Sequence, residues 1–288
     1  MGSFSRRRKW RTTMADISPH VKILDDVKEN ASSEVQTLRG VYEDPTTNAT
    51  IQISLEGYSL QGLPEVDRIL SRLKRQMAVH AALSHPNISP AFGLCVSNGM
   101  FLIAYPCYKN GDVSVYMAAN PELPRFNLVL EIASALEYMH EQGVVHGSLN
   151  PSSILIADDG RPVIGNLSRA KILGRLGLTT HFTTDRYHAP ETWMSKDTGG
   201  LTKESDVFSF GLVALFIISG RVPSWNTPAT APIKIDATKY PRIPVQVWDV
   251  IEPCWLYDAT ARPSISEVLF HLQSLRLLHA TPDQNPAD

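Results

Sequence analysis

Cysteine is scarce in this chain: Cys95, Cys107 and Cys254 are odd in number and widely spaced. They offer neither a disulfide framework nor zinc-ligand spacing, and a reducing compartment is the simplest setting. An excess of charge is missing too. Lys and Arg total 27 against 29 Asp and Glu, a formal net charge of −2, so no overall basic field draws the chain to nucleic acid or membrane. Long hydrophobic runs are absent. The longest, Val207 to Gly220, falls short of the ~20 residues of a membrane helix and suits a buried core helix. The polar, basic N-terminus shows no secretory signal. "MGSFSR" opens like an acylation signal, but Arg6 stands where Ser or Thr is required.

What is present is a hydrophobic fraction of 43% in 288 residues, enough to build one large domain or two lobes. Residues 1–33, with the basic run Arg6 to Arg11, read as a flexible extension. The run is a solvated tail on the simplest reading. Its alternatives are weak contact with acidic lipid or a nuclear address.

Beyond it, "EVQTLRGVYEDPTTNATIQISL" alternates about a turn-rich centre and predicts a β-hairpin. Val66, Ile69, Leu70, Leu73 and Met77 recur at helical spacing. "GMFLIAYPCY" reads as a strand ending at Pro106, and "SILIADDGRPVIG" as two short strands about an Asp-Gly turn. Leu128, Ile132, Leu136 and Met139 mark a helix stopping near Gly143, and helical patterns dominate from Thr192. Strands with one helix, then mostly helices, predict an α+β, two-lobed fold.

"HPNISP", "HGSLNPSSILI", "RYHAPE", "SDVFSFGLVAL" and "CWLYDATARPS" follow one another in an order and spacing that resemble eukaryotic protein kinases of the tyrosine-kinase and tyrosine-kinase-like groups. The resemblance runs from about residue 36 to 278. It implies a small β-rich lobe over 34–108, a larger helical lobe over 109–280 and a tail at 281–288. It also implies an ion pair between Glu191 and Arg262, an Asp206 that holds the catalytic-loop backbone, and a core-packed His146.

The positions that carry chemistry in that family hold other residue types. Phosphoryl transfer there uses an Asp as base and an Asn as metal ligand. His-Arg-Asp-x-x-x-x-Asn reads His146-Gly147-Ser148-x-x-x-x-Ser153 here, and Asn150 takes the place of a phosphate-steering lysine. The metal-binding Asp-Phe-Gly reads Asn166-Leu167-Ser168. A hydroxyl is a poor base near neutral pH, and a neutral amide is a poor ligand for Mg²⁺.

In the small lobe no glycine occurs between Gly2 and Gly40, so the phosphate-covering loop is absent in any usual form. The lysine that contacts the α- and β-phosphates is Ser54, and its glutamate partner is Gln76. Gln52, where the family keeps a small alanine beneath adenine, shares a strand face with Ser54. It is expected to fill part of the pocket, behind a bulky Tyr105. Val41, Tyr108, Asp112 and Leu155 keep adenine- and ribose-pocket positions; core or turn roles explain Val41, Leu155 and Asp112 equally well.

The expectation is therefore a catalytically inactive kinase-fold protein in signal transduction, cytoplasmic with a nuclear alternative. It would serve as scaffold or allosteric partner to a protein such as an active kinase. No cofactor is expected: ATP binds weakly or not at all, and Mg²⁺ has no ligands. The alternatives are a weak, unconventional protein kinase, which would need another carboxylate as base, and an ATP-sensing module without transfer. Asp158 and Asp159 are the nearest acids in sequence, but they sit in a turn.

Overall fold

The structure, a computed structural model, describes residues 15–27, 36–59, 66–97, 100–174, 186–194, 200–225 and 232–280. The chain divides into two compact units: residues 1–84 with 89–107, and 85–88 with 108–288. The change of unit falls between Cys107 and Tyr108, one residue before the boundary read from the sequence.

The first unit is built on β1 (Val21–Val27), β2 (Gln36–Glu43), β3 (Thr50–Ser59), helix α1 (Val66–Ala82), β4 (Gly93–Ser97) and β5 (Met100–Pro106). The strands form one antiparallel sheet in the order β1-β2-β3-β5-β4. Strand alternation gives each face its own core. Leu38, Ile53, Leu55, Cys95, Leu102 and Ala104 pack on one face together with Ile17. Ile103 and Tyr105 pack on the other with Leu73 of α1. The β2–β3 hairpin turns where Asp44 accepts bonds from the Thr46 N–H and hydroxyl, which hold its carboxyl down at about 2.

The expected flexible extension needs correction over residues 15–27. Ile17 is buried in the sheet core, and its N–H donates to the Leu94 carbonyl on the edge strand β4. Val21–Val27 pairs with β2 as a full strand. The physical reason is local: Ile17, Val21 and Ile23 supply apolar contacts to the sheet core that a solvated tail would leave in water. The basic run Arg6 to Arg11 and the tail at 281–288 lie outside the described residues.

The second unit contains α2 (Val113–Ala119), α3 (Arg125–Glu141), β6 (Val144–Val145), β7 (Ile154–Ile156), β8 (Pro162–Ile164), β9 (Lys171–Ile172), α4 (Pro190–Met194), α5 (Lys203–Ser219), α6 (Val245–Ile251) and α7 (Ile265–Ala280). Its strands pair only as short ladders, β6 with β9 and β7 with β8. The apolar run seen in the sequence is α5, buried on all sides as the axis of the unit. A Thr202–Ser205 capping box starts α5, and Gly220 ends it with a φ of 71°. Among the described residues no helix is long and apolar enough to cross a membrane. All three cysteines are free thiols.

Candidate functional site

The loop from His146 to Ser153 hangs on α5. Asp206, in the first turn of that helix and 1% exposed, accepts the His146 N–H at 2.7 Å and the Gly147 N–H at 2.8 Å. It also accepts His140 Nε2–H at 3.0 Å. His146 is wholly buried. Its Nε2–H donates to the Gly165 carbonyl at 3.0 Å, and its Nδ1 accepts the Ser148 N–H at 3.2 Å. Both ring nitrogens are thus used in the neutral tautomer, and burial pushes its pKa down, against the pull of Asp206.

Asp206 draws Gly147 into a left-handed conformation, φ +74°. A Cβ there would lie 3.2 Å from Leu201 Cδ1 and 3.3 Å from the Arg169 carbonyl oxygen. Glycine meets this geometry without a side-chain penalty. Gly147→Arg, which restores the family's residue, should lower stability by about 1–2 kcal/mol. Chemical denaturation of the two proteins checks this.

Beyond Gly147 the loop is closed on itself. Asn150 Oδ1 accepts the Ser153 N–H at 3.2 Å, and Ser153 Oγ accepts the Asn150 N–H at 3.0 Å. The Ser153 hydroxyl donates to the Asn150 carbonyl at 2.7 Å, and Ser153 is completely buried. Both residues therefore serve as a reciprocal cap for the short turn Pro151–Ser153. Ser148 is half-buried. Asn166 is exposed in the left-handed region, φ 54°, and its side-chain oxygen accepts the Ser168 hydroxyl at 2.9 Å. Leu167 beside it is buried. Asp159 accepts the Arg161 N–H in the β7–β8 turn, which lowers its pKa.

Glu191 and Arg262 form a two-pronged pair, Nη1 to Oε1 at 2.6 Å and Nη2 to Oε2 at 3.0 Å. The Arg262 side chain is fully buried, and that of Glu191 is 27% exposed. The guanidinium also donates to the Leu256 and Glu204 carbonyls and lies 5.0 Å over the Phe208 ring.

In the first unit, Ser54 on β3 stands opposite Tyr105 on β5. The phenol of Tyr105 accepts from Gln76 Nε2 at 2.7 Å and meets His80 Nε2 at 3.3 Å. Gln76 is thus tied to a neutral hydroxyl. Val41 is half-buried opposite Gln52 in the sheet register. Gln52 itself is exposed, and its carbonyl accepts the Cys107 N–H at 3.3 Å. Alternation turns Ile51 and Ile53 to the core and puts Gln52 on the same strand face as Ser54.

Two strand residues further along the same face, Glu56 is half-buried, and burial raises its pKa. The folded state therefore holds a proton more tightly than the unfolded chain. At neutral pH the ionised carboxylate opposes folding, and that cost fades as pH falls through the raised folded pKa. Glu56→Gln should raise the melting temperature at pH 7, with the gain shrinking toward pH 4. Melting curves across that range test it.

Among the pocket positions of the second unit, Tyr108 and Leu155 are half-buried. Asp112 caps α2: its carboxylate accepts the Ser114 and Val115 N–H groups at 2.8 and 3.0 Å. Sequence reading missed His80, His140 and Glu56. His80 lies one turn after Gln76, and His140 beside Met139 on an apolar helix, so helical spacing held the signal. Glu56 follows Ser54 at strand spacing.

A family model described as "Protein kinase domain" matches residues 63–272. PTI1-like tyrosine-protein kinase 1 of Arabidopsis thaliana is 28% identical, over 88% of this chain and 81% of that protein. PTI1-like tyrosine-protein kinase 3 of the same plant is 29% identical, over 69% of this chain and 58% of that protein. An L-type lectin-domain containing receptor kinase, IV.2, also of Arabidopsis thaliana, is 29% identical over 85% of this chain but only 39% of its own length.

Proposed function

We propose that this chain, which belongs to the protein kinase domain family, uses its fold as a signalling scaffold or allosteric partner rather than as a phosphotransferase. The observation that carries this reading is the use made of the loop from His146 to Ser153. Its anchor, Asp206, is fully engaged, as is the Glu191–Arg262 pair elsewhere in the second unit. Its chemical positions are neutral side chains, two of which are spent on the loop's own backbone.

The family implies ATP and Mg²⁺, and these residues do not fit them. A hard divalent cation favours charged oxygens. Here it would meet the amide of Asn166, already bonded to Ser168, and the buried hydroxyl of Ser153. With Ser54 and Gln76 in place of a charged pair, the phosphates lose their cation as well. A positioned base alone is worth about 10²–10⁴ in rate, and a hydroxyl at Ser148 supplies none of it.

The partner under this reading is a protein, such as an active kinase, met in the cytoplasm; Arg6 to Arg11 would add at most a weak lipid or nuclear contact. A second reading, a weak protein kinase, draws on the names of the relatives, all of which are kinases. Incubation of the purified chain with labelled ATP, Mg²⁺ or Mn²⁺ and generic protein substrates separates the two. Scaffolding predicts no transfer above a Ser148→Ala control. Transfer that this control abolishes would establish the second reading. An ATP-sensing module would bind nucleotide in the same mixture without transferring phosphate.

A further inference from the structure

We infer that Gln76, Tyr105 and His80 form a charge-free latch that fixes α1 on the sheet, at the place where the resemblance to kinases puts a charged lysine–glutamate pair. Three observations in the first unit converge. Gln76 and His80 stand four residues apart on α1, one helical turn, so both reach a single hydroxyl. That hydroxyl belongs to Tyr105 of β5, whose neighbour in the sheet is Ser54. Gln76 Nε2 and His80 Nε2 lie 2.7 and 3.3 Å from it, and the His80 and Tyr105 rings are 5.3 Å apart. All three side chains are buried, at 7%, 8% and 8% exposure.

The donors and acceptors close in one sense. The Gln76 amide donates to the phenol oxygen, and the phenol O–H donates to His80 Nε2, which must then be the unprotonated nitrogen. A buried neutral chain of this kind is favourable when every member is satisfied and costly when one is missing. Burial keeps the imidazole neutral by lowering its pKa to about 4, so the latch carries no net charge across the physiological range. An ion-pair latch needs a cation on β3, and Ser54 supplies none. The latch therefore forms without a cation or a phosphate.

The test is hydrogen exchange along α1 in the whole chain without nucleotide, together with the ring-nitrogen shifts of His80 by NMR. Tyr105→Phe keeps the ring and removes the hydroxyl. It should speed exchange of the Leu73–Ala82 amides about fivefold, the scale of one net hydrogen bond, and move the His80 Nε2 resonance away from its hydrogen-bonded position. Gln76→Leu should speed exchange as well while leaving the His80 resonance in place, because the phenol still donates. Unchanged α1 exchange in both variants, or an unshifted His80 resonance in Tyr105→Phe, overturns the latch. Since no nucleotide is present, this outcome is independent of whether the chain binds ATP.

Discussion

Arg262→Ala is expected to lower the free energy of unfolding by about 3–5 kcal/mol, a drop in melting temperature of roughly 6–15 °C for a chain of this size. The guanidinium is fully buried and satisfied by Glu191, Leu256 O, Glu204 O and Tyr257 O. Truncation strands one carboxylate and three carbonyls and removes the packing over Phe208. Arg262→Lys should recover only part, since an ammonium cannot present the two parallel donors that Glu191 accepts. Glu191→Gln should cost less than either. Its side chain is partly exposed, and the amide oxygen still accepts one bond. Equilibrium denaturation of the three variants, ranked in that order, is the check.

Asp206→Ala is expected to cost about 3 kcal/mol or more. The change leaves the buried N–H groups of His146 and Gly147 and the Nε2–H of His140 without an acceptor at once. The isosteric Asp206→Asn should be nearly as damaging. An amide offers one acceptor oxygen where the site presents three donors, and its own NH₂ would face another N–H. The left-handed turn at Gly147 is held by one of these bonds, so the loop His146 to Ser153 should lose order before the rest of the second unit. Hydrogen exchange reads this as faster protection loss at residues 146–153 than along α5. Equal loss in both would show that the carboxylate supports the unit and not the loop.

The fold was legible in the sequence because its signals are periodic. Alternation gave β2, β3 and β5, and helical spacing gave α1 and α3. Ordered motifs placed the kinase resemblance that the family match bears out over 63–272. The strand Val21–Val27 was hidden because its short apolar set, Val21, Ile23 and Val27, is interrupted by Asp25 and Asp26 and precedes a polar stretch. Only its pairing with β2 makes it a strand.

At the candidate site, residue types were readable and partners were not. Sequence shows that Ser153 and Asn150 are neutral, but not that each caps the other. It shows Gln76 without a charged partner, but not the phenol of Tyr105 that takes the amide. Sequence places Asp112 before a helix, but not the two N–H groups at the start of α2 that its carboxylate accepts. Such pairings depend on residues brought together across 29 positions for Gln76 and Tyr105, and no local pattern encodes them.

The most direct test is a calorimetric titration of the intact chain with ATP, with and without Mg²⁺, near physiological concentrations. A chain that holds Ser54, Gln76, Ser148, Ser153 and Asn166 at the family's chemical positions should give no saturable heat and no dependence on the metal. Saturable binding that strengthens when Mg²⁺ is added, and weakens in Asn166→Ala, would contradict it.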